Sequence, residues 1–592
     1  MLDVKDVKSL IDVALGRGRA DLVVKDGRLV NVCTGEILER AGVAIKNGRI
    51  AFVGDVEEVQ CSRSSILSAK GHYLVPGLID GHVHIESSML TLTQFARVVL
   101  PRGTTTVMID PHEIGNILGL RGVQLILSEA RRLPLKVFVQ VPSCVSSAPR
   151  LETAGATIDL REVRKAMSWN GVVGLGEVMN FPDVLGKSWK LLHEIQEAER
   201  TGKTIEGHAP RMTEAQLNAY ASSRIEGNHE ATTGEEALEN LRLGIKLEVR
   251  EGSKEKDLKK LLKALLKARV NLTRCMLVSD DRSATDLVKE GHMDHIVRRA
   301  VEEGVDPVRA LQMATINPAD HFKVGKDVGM IAPGRIADML IVKRVEDMKP
   351  DTVMANGLII ARNGVLRSNI EVPKYPNYVR KTVHVGKELS AEDFDVKSPV
   401  EDGLVKGLVI AIPEDGILTK KLTYNLIAKE GLLEADPSND IVKVCVVERH
   451  RATGNVGKGF VKGFGMKKGA IASTVGHDAH NITVLGVRGG DMAFAANVVS
   501  DMDGGLVAVE SGHVLAKLTL PIAGLMSDRP AEEVASKLEA LDKAAKRLGA
   551  TVDKPFLALS FMPLIVIPEL RVTDKGLVDV DQFRLTSLMP PD

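Results

Sequence analysis

The sequence predicts an α/β protein built on a (β/α)8 TIM-like barrel, with a composite small β-sandwich domain and a C-terminal α+β domain. Eight short runs rich in β-branched residues recur between residues 74 and 281, and helical stretches separate many of them. Nearly every run ends in polar, often ionisable residues, and the active sites of barrels lie at the C-terminal ends of their strands. A doubly wound open sheet also alternates strands and helices, but eight units with polar strand ends favour the barrel.

The small β domain is predicted from two separate stretches. Residues 21–75 and 324–368 both alternate in short β-like pieces, and Asp26-Gly27 and Asn47-Gly48 predict hairpin turns. From about residue 380 the pattern changes to that of a new α+β unit. We therefore expect domains at 1–73 and 324–380 for the two parts of the small β domain, 74–323 for the catalytic barrel, 381–424 for a linker and 425–592 for the C-terminal unit.

The eight predicted barrel strands follow one another at regular intervals. Helical patterns such as "SWKLLHEIQEAERTG" and "KDLKKLLKALLKARV" lie between them, as βα units require. The predicted strands are 74–85, 104–110, 136–142, 171–178, 203–210, 223–230, 246–253 and 274–281.

The first of these strands ends in "GHVHIESS", with His82 and His84 two residues apart. Residues i and i+2 of a strand point to the same face, so both imidazoles project together, either as metal ligands or as ordinary polar loop residues. Other strand ends carry ionisable residues that each have an ordinary explanation taken singly. Imidazoles with carboxylates suit zinc, iron or manganese, and six such groups are enough for two ions that share a bridging carboxylate. The six candidates are His82, His84, Glu177, His208, His229 and Asp280.

Composition excludes several other classes of protein. The 592 residues contain 78 Lys and Arg against 78 Asp and Glu, so no net charge attracts nucleic acid or an anionic membrane. The five cysteines are scattered without a CxxC pair, which fits a reducing compartment. The N-terminus has an amphipathic helical pattern rather than that of a signal peptide, and no apolar run of about 18 residues is present. We expect a cytoplasmic protein.

Several motifs resemble the amidohydrolase superfamily. They are "PGLIDGHVH" at the head of the barrel, "GHAP" on the fifth strand, "SDD" on the eighth, and "ALQMATINPADHF" leading into "GMIAPGRIADMLIV". Within the superfamily, "HVHIESSML", "DPHEIGN", "GNHEATTGEEALENL" and the C-terminal "KGFGMKKGAIASTVGHDAHN" closely resemble the adenine deaminases, so the resemblance covers nearly the whole chain. One departure is Asn228-His229-Glu230, where Asp-His-Glu is expected.

The resemblance implies specific roles. His82 and His84 would bind one metal ion, His208 and His229 the other, and Glu177 would bridge the two. Asp280 would bind metal and carry the proton in the hydrolysis of adenine to hypoxanthine and ammonia, as part of purine salvage. A metal lowers the pKa of a bound water from 15.7 toward about 7, which suits this hydrolysis. Four residues are candidates for substrate contact, namely Glu86, His112, Glu113 and Phe181.

The resemblance also implies a binuclear manganese or iron centre, with zinc as a possibility, a small-molecule purine substrate and a homodimer. Another amidohydrolase acting on a cyclic or N-acyl amide is the main alternative, because a fold does not fix a function. A non-enzymatic binding protein is a third, but all six candidate ligands are present. The zinc deaminases with H-x-E and P-C-x-x-C are excluded, because no P-C-x-x-C follows His84-Ile85-Glu86.

Weaker signals remain. Gly457, Gly459 and Gly463 are one residue away from a dinucleotide-binding motif and are interpreted as turn glycines. Two histidine groups stay open. His477, Asp478 and His480 either close the active site from the C-terminal domain or are ordinary loop residues, and His292 and His295 either line the barrel mouth or lie on the surface.

Overall fold

The computed structural model describes residues 2–412 and 418–589, and its centre is an eight-stranded parallel barrel. All eight strands lie within the runs predicted from the sequence, and neighbours in sequence are neighbours in the sheet. Their interiors are buried on both faces, as expected for strands covered by helices. The strands are β1 (Leu78–Val83), β2 (Thr104–Ile109), β3 (Lys136–Val141), β4 (Val172–Val178), β5 (Thr204–Gly207), β6 (Gly227–Asn228), β7 (Lys246–Arg250) and β8 (Cys275–Val278).

The barrel closes between β8 and β1 just beyond the end of β8. Val83 and Asp280 form a parallel bridge, in which the Asp280 amide donates to the His82 carbonyl at 2.9 Å and the His84 amide donates to the Asp280 carbonyl at 3.3 Å. Asp280 adopts a φ of +54° there. The backbone of three candidate ligands is therefore joined at the seam.

Several helices around the barrel bury one apolar face, and several begin with a capping side chain. Leu258–Lys267 buries Leu258, Leu261, Leu262 and Leu265, the spacing that places side chains on one helical face. Capping boxes begin others, as at Thr213 and Thr233, whose side chains accept from the amides of Gln216 and Glu236. These helices are Leu92–Val99, His112–Leu118, Leu120–Ala130, Leu160–Met167, Phe181–Leu185, Trp189–Arg200, Glu214–Ser222, Gly234–Arg242, Leu258–Lys267, Ala284–Lys289, Met293–Glu302, Pro307–Met313 and Ile316–His321.

The two predicted β-rich stretches form one nine-stranded sheet. They join where Tyr73–Pro76 pairs antiparallel with Met339–Val342. The N-terminal helix Val4–Ala14 packs against this sheet through Leu10 and Val13. The other strands are Leu22–Asn31, Glu36–Lys46, Arg49–Gly54, Ile66–Ser68, Pro350–Ala355, Leu358–Arg362 and Val365–Leu366.

One of the two predicted hairpin turns is wrong. Asn47-Gly48 does connect two antiparallel strands, with a positive φ at both residues. Asp26-Gly27 instead lies inside the continuous strand Leu22–Asn31, where the pairing register shifts on both sides of Gly27. Asp26 has a φ of 64°, so the dipeptide forms a bulge that uses the same backbone conformation as a turn.

The C-terminal unit contains a ten-stranded mixed sheet and a three-stranded antiparallel sheet. Helices Gly489–Asp501, Ala531–Arg547 and Pro555–Ser560 accompany them, and the second matches the long helix predicted near 530–547. The strands of the larger sheet are Val396–Lys397, Gly403–Ala411, Lys420–Lys429, Leu432–Glu434, Ile441–Val447, Val456–Lys462, Ala470–Ser473, Ile482–Gly486, Gly505–Glu510 and His513–Thr519. Those of the smaller sheet are Leu570–Thr573, Gly576–Asp579 and Arg584–Thr586.

Two predictions for this unit need correction. The segment 381–424 is not a linker throughout, because Gly403–Ala411 and the start of Lys420–Lys429 pair inside the large sheet. Gly457 and Gly459 lie in the strand Val456–Lys462 and not in a turn. A Cβ on Gly457 would come within 1.7 Å of the Thr573 carbonyl oxygen, so the small sheet packs directly on this backbone. Gly463 follows the strand with a φ of 98°, as a turn glycine does.

Within the described residues, none of the helices combines the length and the apolar character needed to cross a membrane.

Candidate active site

The six candidate ligands meet at the C-terminal mouth of the barrel, and all six are buried. Their positions follow from the strands: His82 lies in β1 and Glu177 in β4, and the others come within two residues of a strand end. The sequence prediction that these side chains converge is matched by the geometry of the structure.

The first histidine pair faces two carboxylates. The Nε2 atoms of His82 and His84 lie 3.1 Å apart. Nε2 of His84 lies 3.2 Å from Oε1 of Glu177 and 3.3 Å from Oδ1 of Asp280. Nδ1 of His84 donates to the Asp110 carbonyl at 2.9 Å, which fixes the orientation of the ring with Nε2 toward the carboxylates.

The second histidine pair faces the other oxygen of the same glutamate. Oε2 of Glu177 lies 2.9 Å from Nδ1 of His208 and 3.1 Å from Nε2 of His229. Burial alone would raise the pKa of Glu177, but the surrounding histidines overcome it and hold that pKa well below its usual range. Each oxygen of Glu177 thus belongs to a different histidine pair.

These donor groups fit a metal site. His82, His84 and Glu177 place ligand atoms within 4.8 Å of one another, as do Glu177, His208 and His229. Buried polar atoms are nearly always hydrogen-bonded, yet Oε1 of Glu177 and Nε2 of His208 have no hydrogen-bond partner. Imidazole and carboxylate groups of this kind are suited to divalent transition metals.

Asp280 is held from two sides. Its Oδ1 faces His84, and its Oδ2 accepts a hydrogen bond from Arg250 at 2.9 Å. Arg250 is buried at the end of β7 and also pairs with Glu230 and Asp257. The sequence pattern predicts "KLEVREGS" as the seventh strand but does not single out Arg250, which stands at the end of that strand.

The predicted substrate-contact residues separate into two groups. His112 lines the cavity above the ligands, with Nδ1 3.5 Å from Oε1 of Glu177. Glu86, Glu113 and Phe181 are not among the described residues that line it. Glu86 accepts a hydrogen bond from the Ile114 amide at 3.2 Å, and Phe181 lines a neighbouring groove with Pro210 and Phe583.

The C-terminal unit reaches the active site, which resolves the open question about its histidines. His477 and Asp478 line the cavity, and Nε2 of His112 lies 3.6 Å from Oδ1 of Asp478. Glu113 pairs with both His477 and His480. Phe561 stacks on His477, with ring centroids 5.0 Å apart and planes at 6°.

Neither His292 nor His295 lines the barrel mouth, which was one of the two positions that the sequence left open for them. His292 is fully buried beneath it, with Nε2 2.9 Å from Oδ2 of Asp80 and Nδ1 2.9 Å from Oγ1 of Thr104. His295 is partly buried beside Glu290, at 3.5 Å. Asp80 also accepts from the His82 amide at 3.3 Å, so His292 supports the strand that carries the first histidine pair.

The complete cavity combines the two units. Ionisable groups come mainly from the barrel, and an apolar segment comes from the C-terminal unit. The lining residues are His84, His112, Glu177, Met179, His208, His229, Glu230, Arg250, Glu255, Asp280, Asp281, His477, Asp478, Phe561, Leu564, Val566 and Ile567.

Comparison with known proteins agrees with this arrangement. Residues 73–360 match the Amidohydrolase family, and residues 416–584 match the Adenine deaminase C-terminal domain. The chain is 47% identical to an adenine deaminase of Moorella thermoacetica, over 98% of each chain. The chain belongs to the adenine deaminase family.

Other adenine deaminases are similar over the same length. One from Mesorhizobium japonicum is 44% identical, covering 98% of this chain and 96% of its own, and one from Clostridium botulinum is 42% identical, covering 98% and 97%. Both units of the cavity therefore fall within the region shared with the family.

Proposed function

We propose that this chain hydrolyses adenine to hypoxanthine and ammonia at a divalent metal centre in the barrel mouth. The observation that carries the proposal is the placement of Glu177, whose two carboxylate oxygens each face a different histidine pair. Full-length similarity to adenine deaminases supports adenine as the substrate.

The centre we propose is binuclear. His82 and His84 would hold one ion, His208 and His229 the other, and Glu177 would contact both, with Asp280 as a further ligand. Manganese or iron is proposed, with zinc as a third candidate, because all three accept mixed imidazole and carboxylate ligands. When bound, the metal supplies a Lewis acid that lowers the pKa of a coordinated water to about 7.

Asp280 is the residue proposed to move the proton. Its Oδ1 is the carboxylate oxygen that faces the ligand cluster, while Arg250 holds Oδ2. Oδ1 accepts a proton from the attacking water and delivers it to the purine. As the C6–O bond forms, this proton goes to a ring nitrogen; the proton of the new C6 hydroxyl then passes to the amino group, the C6–N bond breaks, and ammonia leaves. Such a positioned acid–base group contributes about 10²- to 10⁴-fold.

The C-terminal unit closes the cavity over this chemistry. Phe561, Leu564 and Ile567 supply apolar side chains to the lining. Apolar walls exclude bulk water, which strengthens the electrostatic interactions inside. His112 and Asp478 add polar contacts where the two units meet.

The test is anaerobic purification, metal analysis and an ammonia assay on a panel of purines and cyclic amides. We expect the manganese- or iron-loaded protein to release ammonia from adenine and to form hypoxanthine. Opening of a cyclic or N-acyl amide with adenine unchanged would replace this proposal with the alternative hydrolase.

We also propose that the protein acts as a homodimer in the cytoplasm. The family resemblance supports the dimer, and the free cysteines Cys33 and Cys61, which are not fully buried, support a reducing compartment. Light scattering of the purified protein tests the first, and fractionation of the producing cell tests the second.

A further inference from the structure

Glu255 is a buried carboxyl group in the cavity with no assigned partner. It is 6% exposed and lines the same cavity as Asp280 and His229. Neither of its carboxylate oxygens has a hydrogen-bond partner on another residue. Buried polar groups are almost always paired, so a carboxyl without a partner on another residue is available to a ligand in the cavity.

The other acidic groups in the cavity differ from Glu255 in this respect. Of the six carboxyl groups that line it in the described part of the chain, Glu230 and Asp280 pair with Arg250, and Asp281 contacts Ser87. Glu177 faces the histidines, and one oxygen of Asp478 lies 3.6 Å from His112. Glu255 alone among these six has neither a hydrogen bond to another residue nor an ion pair within 4.0 Å.

The backbone around Glu255 is fixed, so its position is not that of a loose surface loop. Residues 251–256 form a tight turn after β7, closed by a bridge between Glu251 and Lys256. The Gly252 amide donates to the Glu255 carbonyl at 2.9 Å, and the Ser253 amide donates to the Asp281 carbonyl at 2.8 Å. The turn is thus tied to the residue that follows Asp280.

The chemistry of adenine identifies what this carboxyl can bind. A carboxylic acid presents an O–H donor and a C=O acceptor side by side. Adenine presents matching pairs at N1 with the amino group, at N7 with the amino group, and at N3 with N9–H. The N1 pair and the N7 pair both include the C6 amino group. This group leaves in the reaction, so it must face the candidate ligands and Asp280. The N3 and N9–H edge is the one left for recognition.

We infer that Glu255 binds the N3 and N9–H edge of the purine through two parallel hydrogen bonds, and so sets the specificity for a free base. This inference rests on the proposed function. Burial raises the pKa of Glu255 to about 8, which keeps the carboxyl protonated at neutral pH and able to donate to N3. A substituent on N9, such as a sugar, removes the N–H and adds bulk at the same point.

The test compares Glu255→Leu and Glu255→Gln on adenine, 9-methyladenine and 3-deazaadenine. Glutamine keeps one donor and one acceptor in the same positions, whereas leucine keeps neither. Lys256→Leu is the matched control, because Lys256 lies on the same turn with its side chain exposed. Each protein is assayed for metal content, kcat and KM, and hypoxanthine binding is measured by calorimetry.

We expect E255L to raise KM for adenine and to weaken hypoxanthine binding by about 10- to 100-fold, the usual effect of leaving polar groups unpaired. Metal content should be unchanged and kcat should fall less than about fivefold, since the contribution is to binding. E255Q and K256L should stay near the parent values. The parent should prefer adenine over both analogues, and E255L should lose that preference.

Three results would overturn the inference: an unchanged KM in E255L, an unchanged preference for adenine over the analogues, or loss of metal from E255L, which would make Glu255 a ligand. The proposed function fails separately, if the metal-loaded parent releases no ammonia from adenine. A parent that deaminates adenine, beside an E255L variant that behaves identically, rejects only the role of Glu255.

Discussion

At the scale of single residues, the two oxygens of one carboxylate have different tasks in this site. Oδ2 of Asp280 is held by Arg250 at 2.9 Å, which fixes the orientation of the group. Oδ1 lies 3.3 Å from Nε2 of His84 and faces the ligand cluster. The contact that positions Asp280 is therefore on one oxygen, and the proposed proton transfer is on the other. A substitution at Asp280 can for this reason affect turnover without affecting metal binding.

Asp280→Asn should retain metal and lose turnover. An amide can still contact Arg250, but it cannot accept and deliver the proton, so kcat should fall by about 10²- to 10⁴-fold. KM should change much less, because the loss is in the transition state. Metal stoichiometry and kcat are measured on one preparation. Full metal occupancy with less than about a fivefold drop would leave Asp280 a ligand only.

His82→Ala and His208→Ala should each lower metal content and activity together while the chain stays folded. Each removes one imidazole from a different side of Glu177, whereas the barrel is held together by apolar residues such as Val107 and Leu247, which belong to the same buried cluster as residues of the surrounding helices. Metal analysis and circular dichroism check this. His295→Ala is the control, because His295 lies outside the cavity lining. A His82 or His208 variant with full metal content and full turnover would show that its histidine is no ligand.

At the scale of secondary-structure elements, strand ends and turns position the functional side chains. In addition, the size of the side chain at a single position determines how closely two strands can pack. Arg250 ends β7 fully buried between Glu230, Asp257 and Asp280. The strand Val456–Lys462 passes so near the turn after Leu570–Thr573 that Gly457 has no room for a side chain. Both positions give predictions about stability.

Arg250→Met should destabilise the protein by about 3–5 kcal/mol, because it leaves buried carboxylates without their cation. Urea unfolding of the metal-free protein measures the change. Arg299→Met is the matched control: Arg299 also pairs with several carboxylates but is 27% exposed, and exposed pairs contribute about 0–1 kcal/mol. Equal stability of the two variants would contradict the assigned role of Arg250.

Gly457→Ala should cost about 1–3 kcal/mol, the range for overpacking a filled interior. The added Cβ would meet the Thr573 carbonyl oxygen, so the small three-stranded sheet must shift. Gly490→Ala serves as the comparison, because a Cβ there meets nothing within 4 Å. The melting temperatures of both variants measure the cost. A Gly457 variant as stable as the Gly490 variant would show that the small sheet can move away from the strand Val456–Lys462 at little cost.

At the scale of the whole molecule, the sequence predicted the fold well, and it predicted which side chains meet at the barrel mouth, because both depend on local patterns; that these side chains bind metal stays a prediction. The alternation of βα units fixes the barrel, and the ligands lie at strand ends. The sequence could not predict Arg250 or Glu255 as cavity residues, since charged residues at the end of β7 are equally typical of a surface. It also could not show that "GLVKGLVIA" pairs with a distant strand rather than linking two domains.

We propose the predicted domain division with one change, a C-terminal unit that begins near Val396, where its first strand lies. This unit and the barrel share the cavity through contacts such as His112 with Asp478 and Lys554 with Asp286, the latter at 2.6 Å. Its removal would therefore open the site to water as well as shorten the chain.

Metal removal should lower the melting temperature of the whole chain. The candidate ligands are buried and already gathered in the folded state. Ions that bind there should favour the folded chain over the unfolded one and stabilise it by about 2.7 kcal/mol at a hundredfold excess over Kd. Calorimetry with chelator and after manganese addition measures the shift. A shift of the same size in His208→Ala would contradict binding at this site.

The seam of the barrel links catalytic competence to the order of synthesis. A nascent chain that has emerged only to residue 270 already carries both histidine pairs and Glu177. Asp280, whose amide donates the hydrogen bond to the His82 carbonyl, has not yet been synthesised. The partners at the seam are almost two hundred residues apart, and closing so long a loop is entropically costly until the intervening strands have assembled. The chain thus completes its set of candidate ligands only once the last barrel strand has been translated. By then the six strands that lie between the first and the last have already been made.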